Sequence, residues 1–140
     1  MRSFFALLLF ITVSVLTGCS SSGSSSDNKS LTGTEWVLFE MDGNKYEPAA
    51  GKNVTIKFDG TEQNVNGKAP CNTYGGPYIK SSNKLYFGGL FSTEMACDEL
   101  RSEQEYFKIL GKVFSYKISG NKLYFFDNGG MVIARFKANQ

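Results

Sequence analysis

Histidine is absent from all 140 residues of the chain. Without an imidazole there is no Ser-His-Asp or Cys-His nucleophile and no His-ligated metal. The side chain that most often moves protons near neutral pH is missing as well. Basic residues are thinly spread. The formal charge of +2 comes from scattered lysines and arginines, with no stripe of the kind that neutralises phosphates, so nucleic acid is set aside as a partner. Cysteine is scarce, at three residues, and none stands in a Cys-x-x-Cys redox pair. Nor is there an apolar run of the ~20 residues a membrane-spanning helix needs. These absences point away from an enzyme and from any cofactor or metal.

The N-terminus is that of an exported chain. Met1 and Arg2 begin it with positive charge, and Phe4 to Leu16 (FFALLLFITVSVL) have the build of a secretory h-region. Leu16-Thr17-Gly18-Cys19 follows at once and resembles the bacterial lipobox, which implies cleavage before Cys19 and acylation of its thiol. An ordinary signal peptide is the alternative. Each buried CH₂ contributes ~0.8 kcal/mol, so several acyl chains on Cys19 would hold the mature chain firmly on a membrane. Residues 1–18 thus read as a lipoprotein signal peptide. Residues 19–30 read as a lipidated Ser-rich tether, with a reach of about 18 Å if it behaves as a Gly/Ser coil. Ser20, rather than Asp, after the cysteine resembles an outer-membrane address, which implies a domain facing the periplasm.

Residues 31–140 read as one domain, rich in the aromatic residues that suit half-buried strands. Thr34 to Met41 is apolar on both faces, Asp42-Gly43-Asn44 is a turn, and Val54, Ile56 and Phe58 alternate with Thr55 and Lys57. Gln63 to Gly67 is a weaker strand, closed by an expected turn at Asn66-Gly67. Tyr78 to Phe87 (YIKSSNKLYF) and Tyr116 to Phe125 (YKISGNKLYF) echo one another and predict two similar β-hairpins, with Tyr86 and Tyr124 facing outward beside lysines. A last strand, Met131 to Phe136, follows the turn Asp127–Gly130. The one helix is expected at about 98–112, with Leu100, Phe107, Leu110 and Val113 on its apolar stripe, a capping box of Ser102 with Glu105, and Gly111 near its end. Glu94, Asp98, Glu99, Glu103 and Glu105 crowd its start, where acidic residues suit the helix dipole. The fold class is α+β and mostly antiparallel β: a small open barrel-like or strongly curved sheet with one packed helix.

One group of residues is specific enough to carry a resemblance. Cys71-Asn72, Tyr74, Gly76 and Tyr78, followed by Thr93, Met95, Ala96 and Cys97, stand with Gly33-Thr34, Trp36, Glu103, Phe107, Leu110, Val113, Tyr116, Gly120, Leu123 and Phe136. Together they resemble the META-domain (HslJ-like) family of heat-induced bacterial envelope lipoproteins. Pro70 departs from the pattern, which has glycine before the first cysteine. The resemblance implies a compact β domain with a packed helix, a role in heat response or antibiotic tolerance, and no catalytic residues.

In an exported chain with Cys19 acylated, Cys71 and Cys97 are expected to pair, contributing about 3.5 kcal/mol on the chain-entropy model. Two buried reduced thiols are the alternative. Asn72, Tyr74, Tyr78, Thr93 and Met95 form a candidate binding surface. The competing reading is structural: Asn72 ties a turn to a strand, the neighbouring glycines allow close backbone approach, and Thr93, Met95 and Ala96 line the core. The expected protein is a monomeric, non-enzymatic binding or stress-response module that meets the membrane through Cys19 and an envelope protein or ligand through its domain. The alternative is a small β-barrel carrier of an apolar ligand, and the two differ in whether the interior is filled or open.

Overall fold

A computed structural model describes residues 27–140 apart from Ala50. The apolar leader, Cys19 and most of the expected tether lie outside the described residues. The strands are β1 (Glu35–Met41), β2 (Asn44–Lys45), β3 (Thr55–Asp59), β4 (Asn64–Lys68), β5 (Thr73–Ser81), β6 (Lys84–Phe87), β7 (Phe91–Ser92), β8 (Ser115–Ser119), β9 (Lys122–Phe126) and β10 (Val132–Ala138), with one helix, α1 (Leu100–Leu110), between β7 and β8.

The strands pair antiparallel in the order β10-β9-β8-β6-β5-β4-β3-β1, and β1 pairs back onto β10, so the sheet curls into a ring. It is not a true barrel, because the β6–β8 seam is a single residue pair, Lys84 opposite Ser115. Irregularities between Leu38 and Glu40 in β1 and between Val132 and Ala134 in β10 supply local bends. The two echoing segments are the hairpins β5–β6 and β8–β9, and the seam joins them.

Strand alternation decides what fills the ring. Trp36, Leu38, Ile56, Phe58, Val65, Tyr78, Leu85, Leu123, Phe125 and Phe136 all bury their side chains. Phe58 meets Tyr78 edge-on with centroids 5.2 Å apart, and Phe125 packs on Phe136 at 5.0 Å. The Trp36 indole donates to the Leu31 carbonyl at 3.1 Å, which ties the first core residue to β1. Every member of the core lies between Leu31 and Ala138.

The registers set the starts of β3 and β5 beside the ends of β4 and β6, and the starts of β8 and β10 beside the end of β9. α1 packs at the β5 start, where the Tyr106 hydroxyl meets that of Tyr74. The turns at Asp59–Gln63, Ser82–Asn83 and Gly120 lie at the opposite end. The chain enters there too, since the Lys29 N–H donates to the Gly120 carbonyl at 2.9 Å and the Gly120 N–H to Asn28 Oδ1 at 2.6 Å. The last residues of the expected tether are therefore bonded to the domain.

Several local expectations are corrected. Asn66 and Gly67 form no turn; both lie within β4, opposite Gly75 and Tyr74. A Cβ on Gly67 would stand 2.0 Å from the Thr55 carbonyl oxygen, so this glycine serves close approach. The helix begins one turn before the expected capping box, at Leu100, with Glu99 at its N-cap and no side-chain cap. Glu105 instead pairs with Arg101 at 3.6 Å on the exposed side. Leu100 is exposed, and the buried stripe is Glu103, Tyr106, Ile109 and Leu110.

Candidate functional site

The loop between β4 and β5 is the four residues Ala69 to Asn72. The Ala69 N–H donates to the Asn72 carbonyl at 2.7 Å, which leaves Pro70 and Cys71 at the tip. Pro70 takes the first tip position, where its locked φ suits a turn. Cys71 is bonded to Cys97, Cα to Cα 5.9 Å, so the segment leading into α1 is stapled to this loop.

Beneath the disulfide sits a closed polar node. Glu103, 4% exposed, accepts from the Cys71 N–H at 2.9 Å, the Asn72 N–H at 2.8 Å and Asn72 Nδ2 at 2.6 Å. Asn72 Nδ2 also donates to the Met95 carbonyl at 3.2 Å, and its Oδ1 accepts from Thr93 Oγ1 and the Met95 N–H, each at 2.8 Å. A buried carboxylate is tolerated only when its desolvation is offset by such donors. The node thereby fixes the β5 start, the 93–97 segment and α1 to one another.

Tyr74 and Tyr78 do not face solvent. The Tyr74 hydroxyl donates to the Thr55 carbonyl at 3.0 Å and meets the Tyr106 hydroxyl at 2.7 Å, while Tyr78 donates to the Asp59 carbonyl at 3.1 Å. Burial pushes both the Tyr74 and Tyr106 phenols well above their ordinary range, so neither serves as an acid or base near neutral pH. Thr93 and Met95, candidates for a binding surface or for the core, are exposed, as is Ala96. The disulfide and the node hold this segment through Cys97, the Met95 backbone and the Thr93 hydroxyl, and leave the Met95 and Ala96 side chains outside.

Two adjoining grooves are what the surface offers here. One, of about 470 Å³, is lined by Lys52, Asn53, Lys68, Pro70, Thr73, Thr93 and Met95. The other, of about 440 Å³, runs over the outer face of β4, β5 and β7 between Asn64, Asn66, Gly75, Pro77 and Phe91. Thr73 and Thr93 belong to both. Phe91 is 70% exposed, and its ring lies over Gly75, where an added Cβ would come 3.3 Å from Cζ. The Gly75-Gly76 pair makes the hollow. Gly76 itself has φ +151°, with Gly89 and Leu90 against it.

Neither Glu103 as a buried anchor nor Phe91 as a surface ring was singled out from sequence. Glu103 does lie three residues before Tyr106 and seven before Leu110, a carboxylate on the apolar stripe, which is the signal that marks it. Phe91 follows Gly-Gly-Leu and carries no such mark. Among the described residues, no group of three or more His, Cys, Asp or Glu is placed to hold a metal ion.

The model of the META domain matches residues 29–140. The chain belongs to the META-domain family. The node and staple described above are internal supports of the META domain in this chain. The META fold here is similar to an NMR structure of a protein from Burkholderia xenovorans, with TM-score 0.63 and 23% identity over 79% of this chain and 84% of that one. A second NMR structure gives 0.59 and 20% identity, covering 74% and 87%. The crystal structure of a DUF4847-family protein from Bacteroides vulgatus gives 0.50 and 16%, covering 61% and 59%. These likenesses concern the fold. The chain matches none of the curated protein sequences.

Proposed function

We propose that this META domain is a lipid-anchored binding module of the bacterial envelope, held at the outer membrane through Cys19 and facing the periplasm. In this reading it recognises an envelope component through the paired grooves on β4, β5 and β7 during heat or antibiotic stress. The observation that carries the reading is where the space lies. Trp36, Phe58, Phe125, Phe136, Leu85 and Leu123 occupy the ring, each at most 1% exposed, so recognition falls to the outside. The two grooves meet at Thr73 and Thr93 and present amides and lysines on one side and a bare phenyl ring on the other. That combination suits a partner with both polar and apolar groups. The carrier alternative needs an open interior, and the packed aromatic core weighs against it.

The test is complementation of a deletion strain under heat and antibiotic challenge. Phe91→Asp, at a mostly exposed ring, is expected to leave abundance and melting temperature little changed and to abolish rescue. Unimpaired rescue by F91D together with Thr93→Lys would remove the grooves from the function.

A further inference from the structure

The outer face of β8, β9 and β10 is built differently from the groove face. Inward burial of Leu123, Phe125, Phe136 and Ala138 sends Lys117, Lys122, Tyr124, Arg135 and Lys137 outward. Register sets them in two rows across the strands, Lys117–Tyr124–Arg135 and Ser119–Lys122–Lys137. Glu40 pairs with Arg135, whereas Lys117, Lys122 and Lys137 make no ion pair among the described residues. Glu35, the other carboxylate on the outer side of β1, accepts from Asn139 Nδ2 at 2.5 Å. Aromatic rings continue the face on either side: Phe39, 6.0 Å from the Lys122 ammonium, and Phe114, which carries Lys84 at 3.7 Å and meets Tyr86 edge-on.

A second observation says what this face meets. Asn28 and Lys29 are bonded to Gly120, the turn between β8 and β9, so the upstream chain departs beside these lysines. Whatever holds that chain brings this face to itself first.

We propose that the outer face of β8–β10 docks on an anionic phospholipid surface, with Lys117, Lys122 and Lys137 over the headgroup phosphates and Tyr124 among them. The proposal rests on the lipid-anchor reading for proximity; recognition is by the lysines themselves. A basic side chain near an anionic leaflet adds about 1 kcal/mol, so three acting together shift the docked fraction by about a hundredfold. Tyrosine suits the same depth, with its ring toward acyl chains and its hydroxyl in water. In the ring order, β4 and β5 stand across from β9 and β10. Docking therefore turns the paired grooves away from the membrane, toward the aqueous compartment.

The experiment is lysine footprinting by mass spectrometry on the full-length purified protein, reconstituted in phosphatidylcholine vesicles with and without phosphatidylglycerol. Lys117, Lys122 and Lys137 should lose labelling severalfold in the anionic vesicles and regain it in high salt, while Lys52 and Lys68 on the groove side stay constant. K117E/K137E should abolish the protection of Lys122 without altering thermal unfolding. Equal labelling of both lysine sets in both vesicles, or protection of Lys122 that survives in K117E/K137E, would overturn the proposal. The intact mass of the same sample reports separately whether Cys19 carries acyl chains.

Discussion

Asn72 and Glu103, from the start of β5 and the first turn of α1, grip each other twice: backbone N–H to Oε2 at 2.8 Å and Nδ2 to Oε1 at 2.6 Å. An unpaired buried donor costs about 1–3 kcal/mol, and truncating Glu103 strands three. Glu103→Ala is therefore expected to lower unfolding stability by about 3 kcal/mol or more, measured by urea denaturation. Asn72→Asp is expected to be destabilising at neutral pH, because it replaces the amide donor with a carboxylate oxygen facing that of Glu103. A loss under 1 kcal/mol for Glu103→Ala would mean that water replaces the node at little cost.

The disulfide makes a separate prediction. Cys71 and Cys97 are bonded outside the main core, so the ring does not depend on them for its packing. The double Cys→Ser variant should keep its near-ultraviolet aromatic spectrum while losing about 3.5 kcal/mol on the chain-entropy model. Denatured, non-reduced mature protein should show no free thiol at these positions.

Tyr74 and Tyr106 give the pH dependence. Burial raises both phenols above their ordinary value of 10.0, so the folded state retains protons that the unfolded state releases. The stability tied to these groups is fully present below pH ~10 and falls as pH rises above it. Chemical denaturation between pH 8 and 12 should show that decline, and tyrosinate absorbance from these two residues should appear only with unfolding. Titration of all the tyrosines before unfolding would contradict the buried pair.

Glycines separate by what surrounds them. An added Cβ at Gly67 would meet the Thr55 carbonyl oxygen at 2.0 Å and the Tyr74 ring at 2.9 Å, whereas at Gly89 nothing lies within 4 Å. Gly67→Ala should therefore cost several kcal/mol or prevent folding, and Gly89→Ala should be near neutral. Thermal melts of the two variants make the comparison.

Much of this fold is written in period-two alternation. Val54, Ile56 and Phe58 and the paired Leu/Phe faces of the two hairpins take the positions their spacing predicts, because a strand with one buried face has no second register open to it. The errors fall where tertiary contact overrides local chemistry. Asn66-Gly67 has turn residues, yet the glycine is needed to let Tyr74 and Thr55 close over it. Ser102 and Glu105 have capping-box spacing, but the helix starts earlier because the disulfide and Glu103 fix where its first turn stands. Thr93 and Met95 look like core neighbours of a cysteine. They are outside because the node takes hold of their segment by the Met95 backbone and the Thr93 hydroxyl. No local rule reports a contact made across 31 residues.

Recognition by the groove face is tested most directly by site-specific photo-crosslinking in living cells. A photoreactive residue at Phe91 or Met95 is expected to capture a discrete envelope partner, more strongly under heat stress, while one at Ile79 or Met131 captures none above background. Capture of the same species from all four positions, or from none, would contradict it.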